Sequence, residues 1–161
     1  MELALLIGIP GSGKSTFCRE HLFASHLRLS LDMLGTRRRE RLLFEACLGT
    51  RTRVVIDNTN ASRQERALFI TAARVARFRV VGYYLRTDLR VALERNAARS
   101  GRARVPDVGL LATHSRLQIP EWSEGFEALF YVSEDGAGGF KVEPWACEPQ
   151  VLEGDVENQE R

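Results

Sequence analysis

Gly8-Ile9-Pro10-Gly11-Ser12-Gly13-Lys14-Ser15 is the stretch that decides the fold. Its spacing, G-x-x-x-x-G-K-[ST], is that of a phosphate-binding loop. The flanks suit the motif. Leu3 to Ile9 is an apolar run of strand length, and Thr16 to Ala24 reads as a helix. Strand, glycine-rich turn and helix is the setting the motif requires. Glycine permits the backbone angles and close approaches that a Cβ would block. The turn's N–H groups converge on phosphate oxygens, aided by the positive end of the helix that follows. Lys14 is placed to reach the β- and γ-phosphates, and the Ser15 hydroxyl to ligand Mg²⁺. Gly8, Pro10, Gly11, Ser12, Gly13, Lys14, Ser15 and Thr16 are therefore the expected nucleotide-binding residues. The loop, shared by ATP- and GTP-using proteins, implies a nucleoside triphosphate. It does not say what receives the phosphate.

Working outward, a chain of 161 residues suits one domain with a sizeable core. No secretory or transit segment opens it, and no apolar run approaches membrane-spanning length. Cys18, Cys47 and Cys147 are scattered and odd in number, with neither a metal spacing nor a disulfide framework. They read as reduced, small hydrophobic residues, which predicts a cytoplasmic protein with no membrane partner. The net charge of +2 is unevenly spread: residues 142–161 hold six acids against Arg161, a net −5, which leaves +7 on residues 1–141. Lys14 and Lys141 are the only lysines, so the positive charge is arginine. Arginine forks suit phosphate, although arginine richness also follows from genomic base composition.

Strand and helix patterns alternate along the chain, which predicts an α/β domain with a mainly parallel sheet between helices. Leu27 to Leu31 alternates apolar and polar and reads as a strand ending at Asp32. A helix to about Leu48 follows, carrying Arg37, Arg38, Arg39 and Arg41. Val54-Val55-Ile56 is a buried-type strand ending in Asp57-Asn58-Thr59-Asn60. Ser62 to Glu65 is a capping box, and Leu68, Ala72, Val75 and Ala76 make an apolar face on the helix it opens. Arg79 to Leu85 is the next strand, with a helix capped by Thr87 or Asp88 after it. A basic break from Ser100 to Pro106, a helix over Asp107 to Gln118, and late strands at Leu129 to Val132 and Phe140 to Val142 complete the domain, residues 1–146. Residues 147–161 are polar and acidic and are expected to form a disordered tail.

Four features bear on chemistry. Asp32 sits where a strand gives way to a helix, beside the loop. It suits a general base for an acceptor hydroxyl, and equally a helix cap. Asp57 ends an apolar strand, as the metal-side aspartate of many phosphate-loop enzymes does, although Asp-Asn-Thr is also turn chemistry. Arg95 and Arg99 share a helix face and lead into the basic break, so they suit a lid that charges the transferring phosphoryl group; a solvated surface is the plainer reading. His21, His26 and His114 form no metal pattern. Trp122 and Trp145 are predicted core residues, although such rings also stack on bases.

With these residues placed, the chain resembles the kinase domains of the polynucleotide 5′-hydroxyl kinase family, above all its mammalian branch. The resemblance spans about Leu3 to Val132. It rests on the loop through Phe17, on Ser30-Leu31-Asp32-Met33-Leu34-Gly35 and on Val55-Ile56-Asp57-Asn58-Thr59-Asn60. Glu94-Arg95-Asn96 with Arg99, Val105-Pro106 and Glu124-Gly125-Phe126 follow in the same order. The resemblance implies an ATP- and Mg²⁺-dependent kinase acting on the 5′-hydroxyl ends of DNA or RNA, a step of end repair. Asp32 would be the base, Lys14 and Ser15 would serve ATP and Mg²⁺, and Arg95 and Arg99 would be lid arginines. The bacteriophage member carries an arginine three residues after its base, against the acceptor's phosphate. Gly35 stands there in this chain, as in the mammalian branch, and Arg37 or Arg38 is the expected substitute. No D-x-D-x-[TV] motif is present, so 3′-phosphatase activity is not implied. A small-molecule kinase on the same fold, or a non-kinase NTPase or regulatory binding module, are the alternatives that the loop also permits.

Overall fold

The computed structural model describes residues 1–146, apart from the side chain of Arg102. The expected acidic tail 147–161, and Cys147 with it, lies outside the described residues. Six strands form one sheet in the order β2-β3-β1-β4-β5-β6: β1 (Glu2–Ile7), β2 (Leu27–Leu29), β3 (Val54–Ile56), β4 (Arg79–Leu85), β5 (Ala128–Glu134) and β6 (Phe140–Pro144). The first five pair in parallel, and β6 closes the edge antiparallel to β5. Helices cover both faces, so β1 is buried on each side and reads as a continuous apolar run rather than an alternation. Leu3, Leu5 and Ile7 point into one core layer with Val54, Ile56, Phe44, Phe69 and Ile70. Ala4 and Leu6 point into the other, with Val55, Phe17, Cys18 and Leu22.

The helices are α1 (Lys14–Phe17), α2 (Leu31–Leu34), α3 (Arg37–Gly49), α4 (Arg63–Val75), α5 (Leu89–Ala97) and α6 (Asp107–Arg116). A π-helical turn, Cys18–Leu22, continues α1. A small third cluster, Ile9, Ala92 and Leu110, seats α5 and α6 against the loop after β1. Strand order reverses around β1, whose neighbours are β3 and β4, so the loops at the carboxyl ends of these strands converge. In an open α/β sheet that crevice is where ligands bind.

Several local expectations are corrected. β2 ends at Leu29, and Asp32 lies in the first turn of α2 rather than at a strand end. The single helix expected to Leu48 is two. Gly35 adopts φ +74°, a left-handed cap that stops α2, and Thr36 restarts the chain by accepting the N–H of Arg39 at the start of α3. On α4 the capping box of Ser62 and Glu65 is present, and Ala72 and Ala76 pack against the core as expected, but the buried face is Arg66, Phe69, Ile70 and Ala73. Leu68 and Val75 are exposed at 73% and 81%. Turning Phe69 and Ile70 inward removes more apolar area from water than turning Leu68 and Val75 would. Arg66 can follow them because its charge is fully satisfied. It grips Glu124 with Nε at 2.6 Å and Nη2 at 2.7 Å, and Nη1 donates to the carbonyls of Asn60, Ala61 and Gln118. Trp145 packs against Tyr84 and Tyr131 as expected of a core residue, whereas Trp122 is exposed.

Candidate active site

The loop after β1 is tightly built. A Cβ on Gly8 would come within 2.7 Å of Ser12 Oγ and 2.8 Å of the Leu85 carbonyl oxygen, so no side chain fits there. Gly13 needs φ +88° to turn the chain into α1, and the ring of Phe140 packs against it. The first N–H groups of α1, on Lys14, Ser15 and Thr16, lack intrahelical partners, as at any helix start. Lys14 is buried and curls over the loop, with Nζ donating to the carbonyls of Gly8 at 2.9 Å and Ile9 at 2.8 Å. Burial pushes its pKa down from 10.5 to about 8, with Arg99 adding to the fall and Asp57 and Asp32 opposing it.

One cleft of about 230 Å³ gathers Pro10, Gly11, Gly13, Lys14, Ser15 and Thr16 from the loop, Asp32 and Arg37 from α2 and α3, Asp57 from the end of β3, and Arg99 from beyond α5. Gly8 and Ser12 support the loop from behind, and Ser12 is almost wholly buried. The sequence pair Arg95 and Arg99 is split. Arg99 lines this cleft, while Arg95 turns to a second cleft of about 180 Å³ beside the loop, shared with Ser12, Glu134 and Phe140. There Arg95 Nη2 donates to Glu134 at 2.7 Å, and Nη1 lies 3.4 Å from the Gly11 carbonyl oxygen. Arg37 reaches the main cleft; Arg38 lines an apolar groove between α3 and α4 instead.

Asp57 is buried at the floor. Its Oδ2 accepts from Ser15 Oγ at 2.9 Å and from the guanidinium of Arg28 through Nε at 2.8 Å and Nη2 at 2.6 Å. A hydroxyl and a carboxylate side by side are hard oxygen donors of the kind Mg²⁺ takes when phosphates and waters complete its shell, so these residues fit that ion. Asp32 is exposed at the rim of this cleft, which Arg37 also lines. Three residues of the site had been given no role from sequence. Arg28 occupies the polar position of an alternating strand, Asn58 follows the more conspicuous Asp57, and Glu40 lies among the arginines of α3 with no local signal that it is buried. Asn58 joins the loop after β3 to α2 and α3: its Oδ1 accepts the N–H of Leu31 at 2.9 Å, and its Nδ2 donates to Glu40 at 2.5 Å.

The sequence profile of the AAA domain family matches residues 3–120, most of the chain and every residue that lines the main cleft. The chain belongs to the AAA domain family. This AAA domain is 28% identical over 129 residues to the bifunctional polynucleotide phosphatase/kinase of Schizosaccharomyces pombe, covering 78% of the chain and 32% of that protein. It is 30% identical over 146 residues to transcription factor bHLH140 of Arabidopsis thaliana, covering 83% of the chain and 16% of that protein. The chain thus spans a third or less of the length of these curated relatives. Among solved structures, Chaetomium thermophilum Kti12 in complex with ADP-AlF3 superposes with a TM-score of 0.66 at 19% identity, over 83% of this chain and 89% of that one. A gluconokinase from Sinorhizobium meliloti superposes with a TM-score of 0.59, also at 19% identity, over 82% of each chain. At such identities these two show the fold alone: the AAA domain has a P-loop kinase-like fold with a mostly parallel sheet between helices. No helix among the described residues is long and apolar enough to cross a membrane.

Proposed function

We propose that this domain is an ATP- and Mg²⁺-dependent kinase that phosphorylates the 5′-hydroxyl ends of DNA or RNA. One observation carries the reading: a carboxylate, Asp32, stands exposed on the rim of the cleft whose floor holds Lys14, Ser15 and Asp57. An acceptor hydroxyl needs a group that orients it towards the γ-phosphate and takes its proton as the new O–P bond forms and the bond to ADP breaks. Asp32 does this. Lys14 and the N–H groups of the loop hold the phosphates, and Arg99 adds charge where the phosphoryl group passes. Ser15 and Asp57 would hold Mg²⁺, which would supply charge against the phosphates. Arg37 takes the acceptor's first phosphate.

An exposed Asp32 that shares its cleft with Arg37 and Arg99 suits the phosphate-bearing end of a polymer, and the 28% identity to a polynucleotide phosphatase/kinase supports the same acceptor. A small-molecule kinase is the second reading, favoured by the modest cleft of about 230 Å³. Transfer of labelled γ-phosphate to 5′-hydroxyl oligonucleotides, beside a panel of sugars and nucleosides, separates the two. Asp32→Asn is expected to keep ATP binding and lose transfer by about a hundredfold. Labelling of a small alcohol alone, or transfer by Asp32→Asn at the wild-type rate, would sink the reading. A polynucleotide acceptor also predicts affinity that falls as salt rises.

A further inference from the structure

We propose that Arg28 is a resident counter-cation at the metal side of the cleft, which holds Asp57 and limits how tightly a divalent cation binds beside it. The proposal rests on Asp57 as the metal-side carboxylate. Arg28 lies on β2 opposite Val55 of β3, and the Asp57 N–H donates to the Leu29 carbonyl at 2.8 Å, so the sheet itself brings guanidinium and carboxylate together. Nε and Nη2 both point at Oδ2, the oxygen that also accepts from Ser15. Three donors therefore converge on one oxygen. The Asp57 side chain is 2% exposed and that of Arg28 30%, so the pair is rooted inside and open at one end. Nη1 lies 2.9 Å from Met33 Sδ, next to Asp32 in the chain.

A buried carboxylate without a partner is costly, and Arg28 provides that partner. The consequence concerns the next cation. A divalent ion on Ser15 and Asp57 would sit within a few ångströms of a fixed positive charge, at a buried carboxylate where screening is weaker than in bulk water. Nucleotide phosphates offset that repulsion; the empty cleft does not. The cation is therefore disfavoured alone and accepted together with nucleotide.

Mn²⁺ binding followed by electron paramagnetic resonance tests this, with and without ADP. Arg28→Gln keeps an amide donor for Asp57 and removes the charge. It is expected to tighten Mn²⁺ binding by about five- to tenfold, most without ADP. A residue that merely braces Asp57 gives the opposite sign, so equal or weaker Mn²⁺ binding by Arg28→Gln overturns the proposal. Arg28→Lys keeps the charge and is expected to stay within about twofold of wild type. It decides the matter if the Gln variant does not fold, since a change of tenfold or more in the Lys variant overturns it. If wild type binds Mn²⁺ with ADP and Arg28→Gln binds it equally, only this inference falls. If no form binds Mn²⁺ even with ADP, the metal role of Asp57 falls as well.

Discussion

Asn58 Oδ1 accepts the backbone N–H of Leu31 at 2.9 Å. This one bond crosses from the loop after β3 to the first turn of α2, and the next residue is Asp32. The amide's other end donates to buried Glu40, which Arg37 holds at 2.9 Å. The position of Asp32 is thus coupled to the loop that carries Asp57.

Asn58→Ala removes that coupling without touching the phosphate loop. We expect phosphoryl transfer to fall by about ten- to a hundredfold, because a misplaced reacting group is costly, with nucleotide affinity nearly unchanged. Single-turnover transfer and calorimetry on the same variant separate the two effects. A parallel loss of nucleotide affinity would show that Asn58 supports the loop instead.

The depressed pKa of Lys14, about 8, gives a pH dependence with a definite sign. In the free protein Lys14 loses its proton from about pH 8 upwards. Phosphate oxygens favour the ammonium, so nucleotide binding takes up a proton above that pH and weakens as pH rises. For stability, the folded value lies below the unfolded 10.5, so the buried ammonium is a cost below pH 8 that is relieved between 8 and 10.5. ADP calorimetry at pH 9 in buffers of different ionisation enthalpy should report proton uptake in wild type and none in Lys14→Met.

Arg99 and Arg95 should separate kinetically. Arg99 lines the cleft with Asp32, so Arg99→Ala should lower turnover by about a hundredfold with little change in ATP affinity. Arg95 is held by Glu134 beside the loop, and Arg95→Ala should raise KM for ATP more than it lowers kcat. Steady-state kinetics on both variants checks this; identical profiles would mean that the two arginines act as one lid.

Arg66→Met should destabilise the domain by about 3–5 kcal/mol, since it strands buried Glu124 and three carbonyls of the loops that frame the site. Urea unfolding measures it. A loss below about 1 kcal/mol would mean that this ion pair contributes no more than a surface pair.

The phosphate loop, the mainly parallel sheet and the capping box of α4 were legible in the sequence, because each is signalled by residues close together in the chain. A glycine spacing, an apolar run or a cap is a local signal, and backbone sterics or helix-end hydrogen bonding suffices to read it. Other features only the tertiary structure decided. Which face of α4 is buried depended on Glu124, 58 residues from Arg66, being there to neutralise it. That Arg99 enters the cleft while Arg95 leaves it depended on where Glu134 and the loop lie. Arg28 and Asn58 acquire their roles from strand pairing and from a loop crossing to another helix, contacts that span 29 and 27 residues. A charged side chain takes its role from the groups that surround it in space, and those groups come from distant parts of the chain.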